Sequence, residues 1–269
     1  MKIAFSTLAC PNWKWEQILD HAARLGYHGI ELRGVEGEMV LPKARPFLPE
    51  AIEQTKEDLK KRGLDICSLD TSCSFHAESK FAASLQEGSD TIELARKLGV
   101  PYVRVFGDRI PPSEERDTVL DRIARGLDEL GRIAEGTGVT VLLETHGDIH
   151  HSELVLDIFS RIKSQSVGLL WDFEHPFMAG EEPTVTYERL RHLIKHVHVK
   201  DAYWNGEEKV CCAVGEGIVP VLDMIKLLQN DGYEGWFSLE YEKKWKDYLE
   251  EPEISLPAFV NYLQNHSLI

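Results

Sequence analysis

Apolar residues recur along this chain in two alternating rhythms. Short runs rich in β-branched and aromatic residues predict strands at Lys2–Thr7, His28–Arg33, Leu64–Asp70, Pro101–Phe106, Val139–Thr145, Val167–Asp172, His196–Asp201 and Trp236–Tyr241. Between them the spacing turns helical. Trp15, Ile18, Leu19 and Ala22 fall at i, i+3, i+4 and i+7, as do Val155, Ile158, Phe159 and Ile162, and Val221, Met224, Ile225 and Leu228. Leu120, Ile123, Ala124, Leu127 and Leu130 form a longer stripe of the same kind. Gly26, Gly63, Gly99 and Gly138 stand near the ends of helical runs just before a strand, where left-handed C′ residues belong.

Strands that alternate with helices pair in parallel through right-handed crossovers. Eight such units within 269 residues predict an α/β fold, a single-domain (β/α)8 TIM barrel over residues 1–269. A doubly wound open sheet is the rival. It usually places a glycine-rich phosphate loop after its first strand, where this chain has Ser6-Thr7-Leu8-Ala9-Cys10-Pro11-Asn12. No dinucleotide-type or P-loop glycine motif occurs elsewhere, and the barrel is the better match.

Composition narrows the partners. Asp and Glu number 45 against 30 Lys and Arg, a formal charge of −15. That balance disfavours nucleic acid, whose binding needs a dense cationic surface, and an anionic membrane equally. A small anionic substrate held by two or three local cations stays compatible. The five cysteines include no CxxC pair and read as structural thiols of a reducing compartment. The opening MKIAFSTLACPNW is too short and too interrupted for a signal segment and reads as a strand. No run approaches the roughly 20 apolar residues of a membrane helix. The expected location is cytoplasmic.

Barrel chemistry gathers at the carboxyl ends of the strands. The fifth ends Leu143-Glu144-Thr145-His146 and the sixth Leu170-Trp171-Asp172-Phe173-Glu174-His175. The seventh reads His196-Val197-His198-Val199-Lys200-Asp201 and the eighth Ser238-Leu239-Glu240-Tyr241-Glu242. Side chains two apart share a face, so one register turns Glu144, Asp172, His198 and Glu240 inward and Leu143, Val197, Val199 and Leu239 outward. A lone glutamate at a strand end is usually a solvated cap. Four potential ligands ending four consecutive strands are another matter, because three buried carboxylates repel one another unless a cation joins them. Three carboxylates and one imidazole make a hard, oxygen-rich set. Mn²⁺ is the expected ion, with Mg²⁺, Co²⁺ or Zn²⁺ as alternatives.

The neighbours have blander expectations. His196 reads as a hydrogen-bonded core histidine, and His150 and His151 as rim residues opening a helix. Glu174 and Glu242 read as salt-bridge partners, and Asp201 as a residue that orients Lys200. Trp13, Trp15 and the Trp204 loop are weighed as covers for the pocket or a second subunit, and neither role is favoured.

With these residues the chain resembles the xylose isomerase-like TIM-barrel superfamily of sugar isomerases and epimerases, from MKIAFST and GYHGIELR to SLEYE. The resemblance implies that Glu144 and Glu240 are the catalytic acid/base pair as well as ligands, with Asp172 and His198 as plain ligands. It implies that His175, three residues after Asp172, binds a substrate oxygen. The expected reaction is isomerisation or epimerisation of a small keto sugar, sugar phosphate or inosose. A glutamate takes the proton beside a carbonyl, and the cation stabilises the enediolate.

The chain departs from the ketose epimerases in having no arginine between Asp201 and Gly217. Arg104, His146 and Lys200 instead resemble the residues that handle a carboxylate-bearing ring in the barrel dehydroshikimate dehydratases. The alternative activity is therefore dehydration of a dehydroshikimate- or inosose-like ring. An apurinic endonuclease, which needs further early-strand ligands than Glu31, Asp70 and His76, is a remote alternative, and a non-catalytic sugar-binding barrel another. Family members often associate, so a homo-oligomer is an open expectation.

Overall fold

The computed structural model describes residues 1–269. In chain order its elements are β1 (Lys2–Ser6), α1 (Trp15–Leu25), β2 (Gly29–Leu32), α2 (Ile52–Arg62), β3 (Asp65–Ser74), α3 (Glu78–Leu98) and β4 (Tyr102–Phe106). They continue with α4 (Arg116–Ala134), β5 (Thr140–Glu144), α5 (Ser152–Ser160), β6 (Val167–Asp172), α6 (Glu174–Met178), α7 (Pro183–Leu190) and β7 (Ile194–Val199). The last are β8 (Asp201–Asn205), β9 (Glu208–Cys212), α8 (Val221–Asn230), β10 (Trp236–Leu239) and α9 (Pro252–Asn265). Eight parallel strands close in the order β1-β10-β7-β6-β5-β4-β3-β2, so the fold is the expected (β/α)8 barrel.

Most apolar stripes lie where their period puts them, although α5 buries only Val155 and Ile158 of its four and ends before Ile162. Trp15, Ile18, Leu19 and Ala22 of α1 are buried, as are all four stripe positions of α8 and the longer stripe of α4. Leu143, Val197, Val199 and Leu239 face outward into the shell of core packed between strands and helices. Gly26 closes α1 at a φ of 79°, its N–H bonded to the carbonyls of Ala22 and Ala23. Gly138 is not such a cap: α4 stops at Ala134, and Gly138 belongs to the turn that follows.

Inside the barrel, Ala4, Cys67 and Trp236 pack with Tyr102 as an apolar plug at the amino-terminal end of the strands. Gly29 makes room for it. A Cβ there would lie 2.6 Å from the Trp236 ring, well inside van der Waals contact. All five cysteines are free, and four of them are buried. No helix is long and apolar enough to cross a membrane.

One element departs from expectation. After β7 the chain forms an antiparallel hairpin, β8 with β9, pairing Asn205 with Glu208. Its turn is Gly206-Glu207, with Gly206 at a φ of 65°. Glycine at the first position of a two-residue loop is a hairpin signal that the barrel pattern overshadowed. Asp201 roots this excursion rather than orienting Lys200: its carboxylate accepts the N–H groups of Ala202, Gly215, Gly217 and Val219 at 2.9–3.1 Å.

Candidate active site

Parallel register brings the ends of β5, β6, β7 and β10 level. Asp172 pairs with His198, and His198 with Ser238, two residues before Glu240. Glu144, Asp172, His198 and Glu240 converge there, each offering one ligand atom, with these atoms within 4.8 Å of one another. His198 Nδ1 lies 3.4 Å from Glu144 Oε1, 3.6 Å from Glu240 Oε2 and 3.9 Å from Asp172 Oδ2. All four side chains are buried.

Hydrogen bonding satisfies only part of this centre. Asp172 Oδ1 accepts the Glu174 N–H at 2.9 Å, and Thr145 Oγ1 ties β5 to β6 by bonding both the Asp172 carbonyl and N–H. Asp172 Oδ2, both carboxylate oxygens of Glu144 and His198 Nδ1 are buried without a hydrogen-bond partner. Glu144 Oε2 faces Arg104, whereas Glu144 Oε1, Asp172 Oδ2 and His198 Nδ1 converge, and unpartnered buried acceptors that face one point fit a cation. The residues therefore suit the metal that the donor types suggest.

Electrostatics separates the carboxylates. Burial pushes Glu144 up, but Arg104 and His198 outweigh it and hold the carboxyl down at about 2. Burial raises Asp172 to about 8, with Glu174 and Glu240 adding to the rise against the pull of Lys200 and His198. Burial alone would discharge Lys200, yet Glu240, Glu242 and Asp172 hold its pKa well above the ordinary value. Its Nζ donates to Glu240 Oε2 at 2.8 Å and stands 3.2 Å from Glu242 and 3.8 Å from Asp172.

Arg104 lies equally deep. Its Nε is 3.0 Å from Glu144 Oε2, its Nη2 3.4 Å from Asp70 and its Nη1 donates to the Thr71 carbonyl at 3.0 Å. Its guanidinium also stacks on Phe106 at 4.0 Å. The His146 ring packs between Phe106 and His175, at 4.6 and 4.7 Å. His146 Nδ1 and His175 Nε2 are buried with no partner, so both imidazoles have a free polar atom at the mouth. Burial and the nearby Lys200 and Lys209 hold the His175 pKa well down, which keeps this ring neutral.

Around this centre most of the blander expectations hold. Glu242 pairs with Lys200, and Glu174 with Lys209 of the hairpin at 2.8 Å, although Glu174 is fully buried rather than on the rim. Trp13 and Trp15 are buried in the main core. Trp13 stacks on His21 and bonds Glu253, and Trp15 packs on Phe47. Trp204 is exposed on the hairpin. The residue that strand-end reasoning undervalued is Glu31. It is fully buried and bonded to both His196 and His198. Its signal was an acid on an inward position of a buried strand, which requires a partner.

A relative from Clostridium beijerinckii named inosose dehydratase is 28% identical over 258 residues, covering 85% of this chain and 82% of that protein. Among solved structures, the probable 3-DHS dehydratase AsbF from Bacillus anthracis superposes with a TM-score of 0.80 at 19% identity, over 98% of this chain and 99% of the other. A D-tagatose 3-epimerase-like protein gives 0.79 at 21% identity, over 99% and 97%. The model of the xylose isomerase-like TIM barrel family matches residues 19–257, and the chain belongs to that family.

Proposed function

We propose that this protein is a divalent-metal-dependent dehydratase of a small, carbohydrate-like ring hydroxyketone of the inosose or dehydroshikimate type. From the sequence alone, isomerisation and epimerisation rank first. Likeness to inosose dehydratases along most of the chain favours the alternative, and so does the missing arginine after His198. The observation that carries the reading is the Lys200–Glu240 hydrogen bond beside the ligand cluster, an acid and a base in direct contact.

Glu144, Asp172, His198 and Glu240 would hold the cation, with Mn²⁺ favoured by the oxygen-rich set. When bound, the cation supplies polarisation of the substrate carbonyl and stabilises negative charge growing on its oxygen. Glu240 takes the proton from the carbon next to that carbonyl, while Glu144, held ionised by Arg104, keeps its charge. Once Glu240 is protonated, the strongest attraction holding the Lys200 proton is gone. Lys200 then protonates the departing β-hydroxyl, which leaves as water with the C–O bonding pair. The proton on Glu240 returns to Lys200 along their shared hydrogen bond, and both groups are restored. His146 and His175 offer their free ring nitrogens to substrate oxygens.

The test is incubation of the manganese-loaded protein in D₂O with inosose, dehydroshikimate, ketoses and ketose phosphates. A product lighter by one water is expected from a ring hydroxyketone. Deuterium incorporated into a product of unchanged composition would overturn this reading in favour of an isomerase or epimerase.

A further inference from the structure

Glu31 sits on β2, separated from β7 around the wall by β1 and β10. Its carboxylate nevertheless reaches β7 through the barrel interior. Oε1 lies 2.5 Å from His198 Nε2 and Oε2 lies 2.6 Å from His196 Nε2. Glu31, His196 and His198 are all fully buried.

We propose that Glu31 is a positioning residue that fixes the tautomer and ring orientation of His198, with His196 holding the other carboxylate oxygen. This rests on the metal-site reading above. An imidazole has two distinct nitrogens, and the one that donates a hydrogen bond leaves the other free to coordinate. Glu31 accepts a hydrogen bond from Nε2–H, and Nδ1 is the nitrogen that faces Glu144, Asp172 and Glu240. His196 lies on the same face of β7 two residues earlier, so it secures Glu31 without entering the ligand cluster. Both carboxylate oxygens are engaged at hydrogen-bond distance, which describes a clamp on two rings rather than a second cation site.

Cobalt titration against a competing chelator tests this on wild type, Glu31→Gln, His196→Phe and His198→Ala. Glu31→Gln is expected to bind one equivalent of Co²⁺ about 10–100-fold more weakly and with an altered visible spectrum, the range seen when such partners are removed. His196→Phe is expected to show a smaller loss. Affinity and spectrum of Glu31→Gln matching wild type would overturn the positioning role, and so would a second equivalent of cobalt that depends on Glu31. Because Glu31→Gln risks misfolding, ¹⁵N-histidine NMR of the zinc-loaded wild type supplies an independent test. Nε2 of His198 should carry the proton and Nδ1 the metal, and the reverse assignment would overturn the proposal. If wild type binds no cobalt, or His198→Ala binds it unchanged, the metal-site reading itself fails.

Discussion

At the amino-terminal end of the strands the barrel interior is filled by Ala4, Cys67, Trp236 and Tyr102, whereas at the carboxyl end it holds Glu31, Asp70, Arg104, Glu144, Asp172, His198, Lys200 and Glu240. Strands β3 and β4 supply residues to both layers, as does β10 with Glu240 one residue past its end. Beneath the plug lies a cleft of about 710 Å³ bordered by Lys2, Lys56, Lys60 and Trp236, with Lys2 over the indole ring at 5.4 Å. Of these lysines, Lys56 pairs with the exposed Glu53 at 2.9 Å, a surface contact rather than a buried one. The mouth is the opposite case: its titratable groups are buried and in direct contact. An ion pair buried in low dielectric raises stability little or lowers it, because desolvating each charge is expensive. Packed apolar groups stabilise in proportion to the area removed from water. The base is thus built for stability, and the mouth spends stability on chemistry.

That contrast breaks if changes at the two ends have the same consequences. The largest effect is expected from Glu240→Gln, which removes a ligand oxygen's charge and the base together. Turnover should fall by about 10³-fold or more with weakened metal binding, read by steady-state kinetics and chelator competition. Near-normal turnover would remove Glu240 from the mechanism.

Lys200→Ala comes next. Loss of a general acid should lower kcat by about 10²–10⁴-fold while metal stays bound. His146→Ala should likewise retain metal while impairing substrate use. Loss of metal in either variant would mean the ligand set is wrongly drawn.

At the base the signature reverses. Trp236→Ala should cost about 3–5 kcal/mol of stability in denaturant melts and leave activity per folded molecule nearly intact. A kinetic defect at unchanged stability would show that the two ends are coupled.

The smallest effect belongs to the surface. Arg45 pairs with Glu36 at 2.7 Å and holds its carboxyl at about 2, against an ordinary 4.5. A depressed carboxyl stabilises the fold above its unfolded value and loses that contribution as pH falls toward the folded one. Arg45→Ala should therefore cost less than about 1 kcal/mol at neutral pH, and the difference from wild type should vanish in melts between pH 4.5 and 2. A difference that persists in acid would assign Arg45 a packing role instead.

Much of the mouth was readable because strand alternation has a period of two. Once β5, β6, β7 and β10 were recognised, Glu144, Asp172, His198 and Glu240 had to face the same interior. Lys200 followed by the same parity. Its partner did not, since Glu240 is 40 residues away and reaches it only when β7 and β10 lie side by side. Arg104 was legible as an inward cation but not as the companion of Glu144, a contact set by the pairing of β4 with β5. The β8–β9 hairpin was obscured for a different reason: a strong eightfold pattern leaves no slot for an extra pair of strands, even with Gly206-Glu207 at its turn.

By itself the sequence determined the alternation of strands and helices, the faces each would bury and hence the barrel with its ring of carboxylates and imidazole. These follow from local periodicity, which depends only on backbone geometry and the transfer of apolar groups out of water. Only the tertiary structure decided that Glu31 meets His198 across 167 residues of chain, or that Lys200 rests on Glu240. Such contacts run across the closed barrel, and no spacing along the chain encodes which charges low dielectric will force together.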